Sequence, residues 1–305
     1  MPFPAWDFIV GHEVVGFVHE VGPDVKKFKV GDRVVSAFVS SCRECFFCVR
    51  GLTCRCENSL TFGTPGLDGT QAEYARIPLA DGTLFPAPAD LKDQHLVLLG
   101  DIFPTGYSTV WHAWKFLPEE VKQFPTSAVV LGCGPVGLCG VLSAKQKFTK
   151  VFAVDSVQAR LDQAARYGAI PILLNANTAA AIRAQTDGRG PDAVMEIVGA
   201  PDAFDLALDI VRVGGVIASC GLHTSTLHMP GLKLYQKNVA LKFGRTSVID
   251  LYDECVELLR KLVKEGKMDG FVEASVRLSN APEYYDLFDK REIGKTLFQA
   301  VSSLN

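Results

Sequence analysis

The sequence predicts an α/β protein in which a doubly wound parallel sheet is joined to a β-rich domain. Three observations support this fold class. Short runs of β-branched and aromatic residues, separated by turns rich in glycine and proline, fill roughly the first 100 residues. After about residue 105 such runs alternate with helical stretches of about 10–15 residues, which is typical of βαβ units and a parallel sheet. Between two of these elements lies a glycine-rich run from Gly132 to Gly137.

The first part of the chain is predicted to be a small barrel or sandwich. Residues 14–18 and 33–38 are rich in β-branched and aromatic side chains, which favour strands. Turn signals lie between and after them, where glycine is followed by proline or aspartate, as at Gly22 and Gly31. Short strands with such turns are typical of a β-rich domain built around one core.

The remainder of the chain alternates strands with helices. The apolar run at residues 127–131 is the first strand of this series, and a helix follows at residues 136–147. The further predicted strands are residues 151–154, 171–174, 192–197, 215–220 and 239–243. The further predicted helices are residues 157–167, 178–186, 203–212 and 249–264. Apolar strands joined by helices indicate a parallel sheet with helices on both faces.

Length and composition limit the classes of function. With 305 residues the chain is long enough for about two domains. A net charge of −3 argues against nucleic acid and anionic membranes as partners, and no apolar run reaches the ~18 residues of a membrane span. The start of the chain lacks the basic and apolar segments of a signal peptide. Nine cysteines without such a signal favour a reducing, cytoplasmic location, in which clustered thiols bind metal.

A glycine-rich motif points to a dinucleotide. The sequence Gly-Cys-Gly-Pro-Val-Gly, which begins at Gly132, has the G-x-G-x-x-G spacing, follows an apolar strand and opens a helix. Gly132 permits a tight turn, Gly134 lets the backbone approach a pyrophosphate, and Gly137 lets the helix pack close to the strand. Pro135 and Val136 start the helix, whose N-terminal N–H groups and dipole attract phosphate. This combination predicts a Rossmann-type cofactor domain.

An acidic residue accompanies the motif at the expected distance. Asp155 lies 18 residues after Gly137, at the end of the next strand, close to the ~20 residues typical of the fingerprint. Its carboxylate can accept hydrogen bonds from both adenosine ribose hydroxyls and repels a 2′-phosphate, so the sequence predicts NAD rather than NADP. The alternative interpretation is a purely structural glycine turn, with Asp155 capping the next helix.

A second motif consists of four closely spaced cysteines. Their spacing is C-x2-C-x2-C-x7-C, and the residues are Cys42, Cys45, Cys48 and Cys56. Tetrahedral zinc takes four thiolates at about 2.3 Å, and four protein ligands leave no open position, so the pattern predicts a structural zinc. Cys54 is an alternative fourth ligand. The competing interpretation is a set of buried or redox-active thiols.

The chain as a whole resembles the zinc-containing medium-chain dehydrogenases, the alcohol dehydrogenase superfamily. The resemblance rests on the Gly-His-Glu-Val-Val-Gly run from Gly11, the Val-Gly-Asp-Arg-Val run from Val30, the four cysteines and the glycine motif, all in the family's order. It implies a GroES-like catalytic domain at residues 1–106 and 246–305, interrupted by a Rossmann NAD-binding domain at residues 107–245. It also implies zinc-dependent hydride transfer between NAD(H) and an alcohol or aldehyde, in a homo-oligomer (dimer or tetramer).

The resemblance further implies a catalytic zinc. His12 matches the family's histidine ligand, and Glu13 beside it matches a nearby or transient ligand. In place of a cysteine, Asp101 precedes a Pro-Thr-Gly sequence. This resembles the branch that includes the glutathione-independent formaldehyde dehydrogenases, where an aspartate ligates zinc. The competing interpretations are a satisfied core histidine and a turn-capping carboxylate.

Five further residues match family positions of the cofactor pocket. Val198, Gly221 and Leu222 follow predicted strands, Arg160 lies shortly after the acidic residue of the fingerprint, and Lys295 lies near the C-terminus. The resemblance implies that Arg160 contacts the adenosine ribose and that Lys295 contacts the pyrophosphate. The competing interpretation for these residues is core packing or a solvated charge.

One family ligand has no counterpart in the sequence. The first catalytic-zinc ligand of the family is a cysteine well before the Gly-His-Glu motif, whereas no cysteine precedes Cys42 here. A catalytic zinc needs three protein ligands, so the chain is expected to lack an N-terminal segment and to have an incomplete catalytic zinc site. Two interpretations follow: an incomplete form of an active enzyme, or a catalytically inactive NAD(H)-binding zinc protein.

Overall fold

The chain is divided into two compact units in the computed structural model, which describes residues 7–300. One unit comprises Met1–Pro104 with Ser247–Asn305, and the other comprises Thr105–Thr246. The second unit is therefore inserted into the first along the sequence. The predictions that concern the start of the chain lie outside the described residues. No helix within residues 7–300 combines the length and apolar character needed to cross a membrane.

Strands and helices alternate mainly in the middle of the chain. Within the described residues the strands are, in chain order, β1 (Val14–Phe17), β2 (Arg33–Ser36), β3 (Leu84–Pro86), β4 (Ser127–Leu131), β5 (Lys150–Asp155), β6 (Ile170–Leu173), β7 (Ala193–Glu196), β8 (Val216–Ser219), β9 (Ala240–Phe243), β10 (Val272–Arg277) and β11 (Lys295–Gln299). In the same part of the chain the α-helices are α1 (Ala80–Thr83), α2 (Asp93–Leu96), α3 (Ile102–Phe116), α4 (Glu119–Lys122), α5 (Pro135–Ala144), α6 (Gln158–Arg166), α7 (Thr178–Ala184), α8 (Pro201–Ile210), α9 (Gly231–Lys237), α10 (Val248–Lys264) and α11 (Ala281–Asp289). Short 3-10 turns lie at Cys48–Arg50, Thr53–Arg55, Val97–Gly100 and Leu278–Asn280.

The first unit contains a small antiparallel sheet. β1 pairs with β2, and β2 pairs with β3, so that Val15 faces Val35 and Val35 faces Phe85 across the ladder. The predicted strands at residues 14–18 and 33–38 extend beyond the regular ladder by one and two residues. β10 and β11 form a separate parallel pair. The β-rich character predicted for this part of the chain is confirmed.

Helix α10 connects the C-terminal part of the first unit to its N-terminal part. Tyr252 of this helix stacks on Phe85 of β3 with ring centroids 3.6 Å apart. At the start of the helix, Asp250 Oδ2 accepts a hydrogen bond from the Thr53 hydroxyl at 2.9 Å. Because these contacts join residues far apart in sequence, the returning C-terminal segment is an integral part of the first unit.

The second unit is built on a six-stranded parallel sheet with the strand order β6-β5-β4-β7-β8-β9. Its central strands are continuous apolar runs because both faces of the sheet are covered. Val129, Phe152, Val194 and Ile217 belong to one buried core cluster, into which Phe204 of α8 also packs. The predicted doubly wound parallel sheet is confirmed, and its six predicted strands lie within one or two residues of the observed ones.

Some elements were not predicted. Helix α9 is absent from the predicted helices, and the segment after α10 carries no predicted element, although it forms β10, α11 and β11. Side chains of β10 alternate between half-buried and exposed, so this strand has the half-apolar pattern of an edge element rather than a continuous apolar run. Its sequence therefore contains the alternating signal of a half-buried strand, but not the continuous apolar run of a fully buried one.

Candidate functional site

The glycine turn joins β4 to α5. Gly132 has φ +87°, a left-handed conformation that a side chain would strain. A Cβ at Gly137 would overlap the carbonyl oxygen of Gly132, so only glycine allows the helix to approach the turn this closely. At Gly134, by contrast, a Cβ would meet no atom within 4 Å, so the backbone there faces open space. Pro135 takes the first helical position, and the whole cradle fits the pyrophosphate of a dinucleotide.

Asp155 ends β5 and holds the glycine turn. Its side chain is largely buried; Oδ2 accepts a hydrogen bond from the Cys133 N–H at 2.7 Å, and Oδ1 accepts one from the Val157 N–H at 2.8 Å. Arg160 Nη1 lies 3.9 Å from Oδ2. Each carboxylate oxygen can accept more than one hydrogen bond. Asp155 therefore keeps acceptor capacity for ribose hydroxyls while it fixes the turn.

The segments that follow β7 and β8 lie backbone against backbone. A Cβ at Gly221 would overlap the Gly199 nitrogen, so this contact requires glycine. The neighbouring side chains are open to solvent, since Val198 is 51% exposed and Leu222 is 84% exposed. Core packing, the competing interpretation of these two side chains, is therefore wrong. The structure brings Val198, Gly221 and Leu222 together, and their contact with a cofactor stays a prediction.

The four cysteines of the spacing motif converge in the first unit. Their Sγ atoms lie within 4.8 Å of one another and belong to Cys42, Cys45, Cys48 and Cys56. The Cys45 and Cys48 sulfurs are 3.4 Å apart, and the Cys42 and Cys56 sulfurs are 3.5 Å apart. Sulfurs bound to one tetrahedral zinc at about 2.3 Å stand about 3.8 Å from each other, so the donor set fits zinc.

The surroundings of these thiols differ. The Glu57 N–H donates to Cys45 Sγ at 3.4 Å and lowers the pKa of this thiol to about 6. Burial raises the pKa of Cys48 to about 12, and a bound cation would favour its thiolate form. Cys54 lies outside the cluster, where the Ser247 hydroxyl donates to its Sγ at 3.3 Å. The alternative in which Cys54 is the fourth member of the cluster is therefore wrong.

His12 and Asp101 lie side by side in the first unit. His12 Nε2 and Asp101 Oδ2 are 3.1 Å apart, and this hydrogen bond raises the pKa of His12. Glu13 instead forms an ion pair with Lys295 and accepts a hydrogen bond from the Ile102 N–H at 3.3 Å. Within residues 7–300, the cysteine cluster is the only group of three or more possible metal ligands that lies together. The structure thus brings two of the three predicted catalytic-zinc residues into direct contact.

Sequence reasoning missed two features of the candidate site. Lys295 contacts Glu13 across 282 positions of sequence, whereas the predicted contact of Lys295 with pyrophosphate stays a prediction. In the second unit, Glu196, Ser219 and His223 form a buried polar cluster at the ends of β7 and β8. The only sequence signal for this cluster is that polar residues end two apolar strands, and it becomes informative only once the strands are known to be neighbours.

Two family models match the chain. The model described as "Alcohol dehydrogenase GroES-like domain" matches residues 1–89, and the model described as "Zinc-binding dehydrogenase" matches residues 135–259. Among curated relatives, zinc-type alcohol dehydrogenase B of Aspergillus flavus is 41% identical over 298 residues, which is 96% of this chain and 69% of that protein. The medium chain reductase/dehydrogenase ucsI of Acremonium sp is 46% identical over 226 residues, which is 72% of this chain and 76% of that protein.

Solved structures show the same similarity. Alcohol dehydrogenase TADH from Thermus sp. ATN1 has a TM-score of 0.85 and 31% identity, over 96% of this chain and 85% of that one. Zinc dependent alcohol dehydrogenase 2 from Streptococcus pneumonia, in its apo form, has a TM-score of 0.84 and 33% identity, over 98% of this chain and 86% of that one. Both the α/β unit and the β-rich unit are therefore shared with these structures.

A parallel α/β unit with a dinucleotide cradle, inserted into a β-rich unit with a four-thiol cluster, defines an oxidoreductase that uses a dinucleotide and zinc. Both family models and the identities with relatives show that the chain belongs to the zinc-type medium-chain alcohol dehydrogenase family. This membership supports an NAD-linked oxidoreductase function toward small alcohols or aldehydes. The narrower predictions, of the branch and of the individual ligands, are taken up as proposals.

Proposed function

We propose that the chain is a zinc-dependent dehydrogenase that exchanges hydride between NAD(H) and an alcohol or aldehyde, and that its catalytic zinc binds an aspartate in place of the usual cysteine. The observation that carries the proposal is the contact between His12 Nε2 and Asp101 Oδ2 at 3.1 Å. An imidazole and a carboxylate in contact are a common pair of zinc donors. The Pro-Thr-Gly sequence after Asp101 supports the branch that resembles the glutathione-independent formaldehyde dehydrogenases.

The metal ligands are assigned to two places in the first unit. The cysteine cluster holds a structural zinc, because four thiols complete a tetrahedral shell. His12 and Asp101 are the ligands of the catalytic zinc. Glu13 is held beside them by Lys295, which neutralises its carboxylate and makes it a transient rather than a permanent ligand.

The cofactor is assigned to the second unit. The backbone N–H groups of Gly134, Val136 and Gly137 are assigned to the pyrophosphate, whereas Pro135 has no N–H to donate. Asp155 accepts hydrogen bonds from the adenosine ribose, and Arg160 lies close enough to contribute to the same end of the site. We assign the first unit to catalysis and the second to cofactor binding.

The proposed reaction oxidises an alcohol to an aldehyde or ketone, reduces NAD to NADH and releases one proton. When bound, zinc supplies Lewis acidity toward the alcohol or carbonyl oxygen, and NAD supplies the hydride acceptor. The chain's own contribution is to position these groups. His12 and Asp101 present one nitrogen and one oxygen donor on the same side, and the ion pair of Glu13 with Lys295 fixes the adjacent carboxylate.

We also propose a cytoplasmic homo-oligomer, a dimer or tetramer, that binds neither nucleic acid nor membranes. The net charge of −3 supports the absence of polyanionic partners. Light scattering combined with size-exclusion chromatography measures the oligomeric state directly. A monomer in that measurement contradicts the oligomer, and retention on a polyanionic matrix contradicts the claim about partners.

The proposed function is tested with the purified chain and a panel of primary and secondary alcohols. We expect NADH to bind, and we expect NAD reduction that a strong chelator abolishes and added Zn²⁺ restores. Asp101→Asn should lower this activity at least a hundredfold without changing NADH affinity. Asp93→Asn, at an exposed carboxylate on α2, is the control variant and should keep full activity. Full activity in Asp101→Asn contradicts the assignment of Asp101.

A second candidate function is an NAD(H)-binding zinc protein without dehydrogenase activity. The observation that favours it is that, among the described residues, only His12 and Asp101 come together at the proposed catalytic zinc, while Glu13 is bound to Lys295. NADH binding with tight structural zinc, and no NAD reduction with any alcohol of the panel, is the outcome that selects this candidate.

A further inference from the structure

The ends of β7 and β8 share one buried carboxylate. Glu196, the last residue of β7, is fully buried. Its Oε1 accepts hydrogen bonds from the Val198 N–H at 2.8 Å and the Gly199 N–H at 2.7 Å. Its Oε2 accepts one from the Ser219 hydroxyl at 2.6 Å and lies 3.1 Å from His223 Nε2. A carboxylate in this position is stable only because each oxygen has two partners.

The histidine of this cluster is held on one side. His223 Nε2 is 3.0 Å from Ser219 Oγ as well as 3.1 Å from the carboxylate of Glu196. Its side chain is 10% exposed, and its ring lies against that of Phe243 with centroids 5.6 Å apart. Nδ1 has no hydrogen-bond partner among the residues that the structure describes. The orientation of the ring is therefore set by its Nε2 contacts with Glu196 and Ser219.

These contacts determine the position of two loop segments. Glu196 Oε1 fixes the backbone of Val198 and Gly199 after β7, and Glu196 Oε2 fixes Ser219 and His223 on either side of the segment after β8. A Cβ at Gly199 would lie 2.6 Å from the Leu222 nitrogen, so the two segments are already at their closest approach. Loss of the carboxylate would release both segments at once.

The two segments lie at the cofactor edge of the sheet. A Rossmann sheet binds a dinucleotide across the carboxyl ends of its strands. Asp155 ends β5, on one side of the central strand β4, whereas β7 is the neighbour of β4 on the other side and β8 follows it. If the adenosine end is at Asp155, the nicotinamide end extends toward the carboxyl ends of β7 and β8.

We infer that Glu196, Ser219 and His223 are positioning residues that hold the backbone segments around Val198–Gly199 and Gly221–Leu222 against the nicotinamide half of NAD(H). The inference rests on the proposed NAD site of the second unit. The three side chains act through the backbone that they fix, so their loss affects the nicotinamide half of the cofactor and leaves the ADP-ribose half unchanged. Pre-organised loops bind more tightly because no ordering is needed on binding.

The test compares two ligands that differ only in the nicotinamide group. Calorimetric titrations with NADH and with ADP-ribose are made on the unaltered chain and on Glu196→Gln, Ser219→Ala and His223→Asn. We expect NADH affinity to fall at least fivefold in Glu196→Gln, and to fall less in the other two variants. ADP-ribose affinity should stay within twofold in all three. If Glu196→Gln does not fold, Ser219→Ala and His223→Asn carry the test.

The residue before the other end of β7 offers a matched control. Asp192, just before β7, accepts a hydrogen bond from the Ser127 N–H at 2.7 Å and is paired with Arg212 Nε at 2.7 Å. Like Glu196, it accepts a backbone N–H hydrogen bond and contacts a basic side chain. It lies, however, at the amino end of the sheet, away from the cofactor edge. Asp192→Asn should lower thermal stability and leave the ratio of NADH to ADP-ribose affinity unchanged.

The outcomes distinguish a failure of the positioning role from a failure of the proposed NAD site. A parallel loss of NADH and ADP-ribose affinity in Glu196→Gln, or no loss of either, overturns the positioning role. The same change of ratio in Asp192→Asn also overturns it, because the effect then reflects stability alone. ADP-ribose that fails to bind the unaltered chain overturns the proposed NAD site itself.

Discussion

Asp155 holds the glycine turn, and in the proposed NAD site the same side chain also recognises the adenosine ribose. Because it is largely buried and accepts hydrogen bonds from the Cys133 and Val157 N–H groups, its negative charge is fixed beside the glycine turn. A 2′-phosphate placed there would meet a carboxylate that cannot move away. The fixed position of the charge, rather than its presence in the sequence alone, is the reason we expect strong discrimination between NAD(H) and NADP(H).

We expect NADH to bind at least tenfold more tightly than NADPH, a difference of about 1.4 kcal/mol. Asp155→Ser should narrow this gap, since the hydroxyl keeps one hydrogen-bond acceptor for the turn but removes the charge. Asp162→Ser on α6, whose carboxylate binds Gln158 on the exposed side of the helix, is the control and should leave the gap unchanged. Calorimetry with both cofactors gives the ratio. Equal affinities in the unaltered chain contradict this account of Asp155.

A second residue, His112 on α3, makes stability depend on pH. Burial lowers the pKa of His112 to about 4, with Lys242 and Lys115 adding to the shift. In the unfolded chain the imidazole takes up its proton as the pH falls through about 6.5. The contribution of the neutral His112 to the free energy of unfolding is therefore fully present above pH 6.5, and it is lost as the pH falls toward 4.

For His112 the expected loss between pH 7 and pH 5 is about 2 kcal/mol of the free energy of unfolding. His112→Gln should lose less over the same interval, because glutamine does not titrate. His19→Gln, at an exposed histidine, should keep the full pH dependence. Urea unfolding at the two pH values measures each difference. The same slope in His112→Gln and the unaltered chain excludes His112 as its source.

At the scale of elements, sequence patterns predicted some parts of the fold well. The strands β4, β5, β7 and β8 are almost continuously buried runs, and burial on both faces leaves a signal that needs no knowledge of neighbours. β10 is half-buried on one face only, and although its alternation of apolar and polar residues is typical of such a strand, it is not among the predicted strands. The thiol cluster was also predictable, because its ligands lie within a single loop and spacing alone limits how they can meet.

Contacts between distant elements could not be predicted in this way. Lys295 of β11 reaches Glu13 only because the C-terminal segment returns to the first unit. The cluster of Glu196, Ser219 and His223 exists because β7 and β8 are adjacent in the sheet. Neither arrangement has a spacing in the sequence that distinguishes it from chance. The contact of Lys295 depends on the return of the C-terminal segment, and the cluster at Glu196 depends on the pairing of β7 with β8.

In the proposed assignment, the loop that carries the four thiols is stabilised by its structural zinc. We expect about one tightly bound zinc per chain in this loop, with any zinc at His12 and Asp101 held more weakly by fewer ligands. Cys45→Ser should remove the tight zinc and lower the thermal stability of the chain, because metal binding contributes directly to folding. NADH affinity should not change, since the cofactor cradle lies in the other unit.

Cys54 provides the matched control for this loop. It is buried in the same loop but binds Ser247 and lies outside the cluster. Cys54→Ser should keep a full equivalent of tightly bound zinc by elemental analysis after dialysis against a weak chelator. Zinc retained in Cys45→Ser and lost in Cys54→Ser reverses the ligand assignment.

At the scale of the whole molecule, the proposed function assigns cofactor binding to one unit and catalysis to the other, and each contribution can be removed separately. Gly134 in the second unit is suited to such a test. A Cβ there meets no atom within 4 Å, and its φ of −64° is open to any residue. A carboxylate introduced at this position therefore leaves the fold intact and repels the pyrophosphate of the cofactor.

We expect Gly134→Asp to lower NADH affinity at least tenfold while the zinc content and the unfolding temperature stay at the values of the unaltered chain. Gly231→Asp is the control. It lies at the start of α9, where a Cβ also meets no atom within 4 Å, and it should leave the NADH affinity, the zinc content and the unfolding temperature unchanged. His12→Ala in the first unit should have the opposite pattern, with NADH affinity retained and alcohol oxidation lost. The two measurements are cofactor titration and NAD reduction on the same preparations. NADH affinity retained in Gly134→Asp would show that the cofactor does not bind at the glycine turn, and oxidation retained in His12→Ala would remove the proposed zinc site from the reaction.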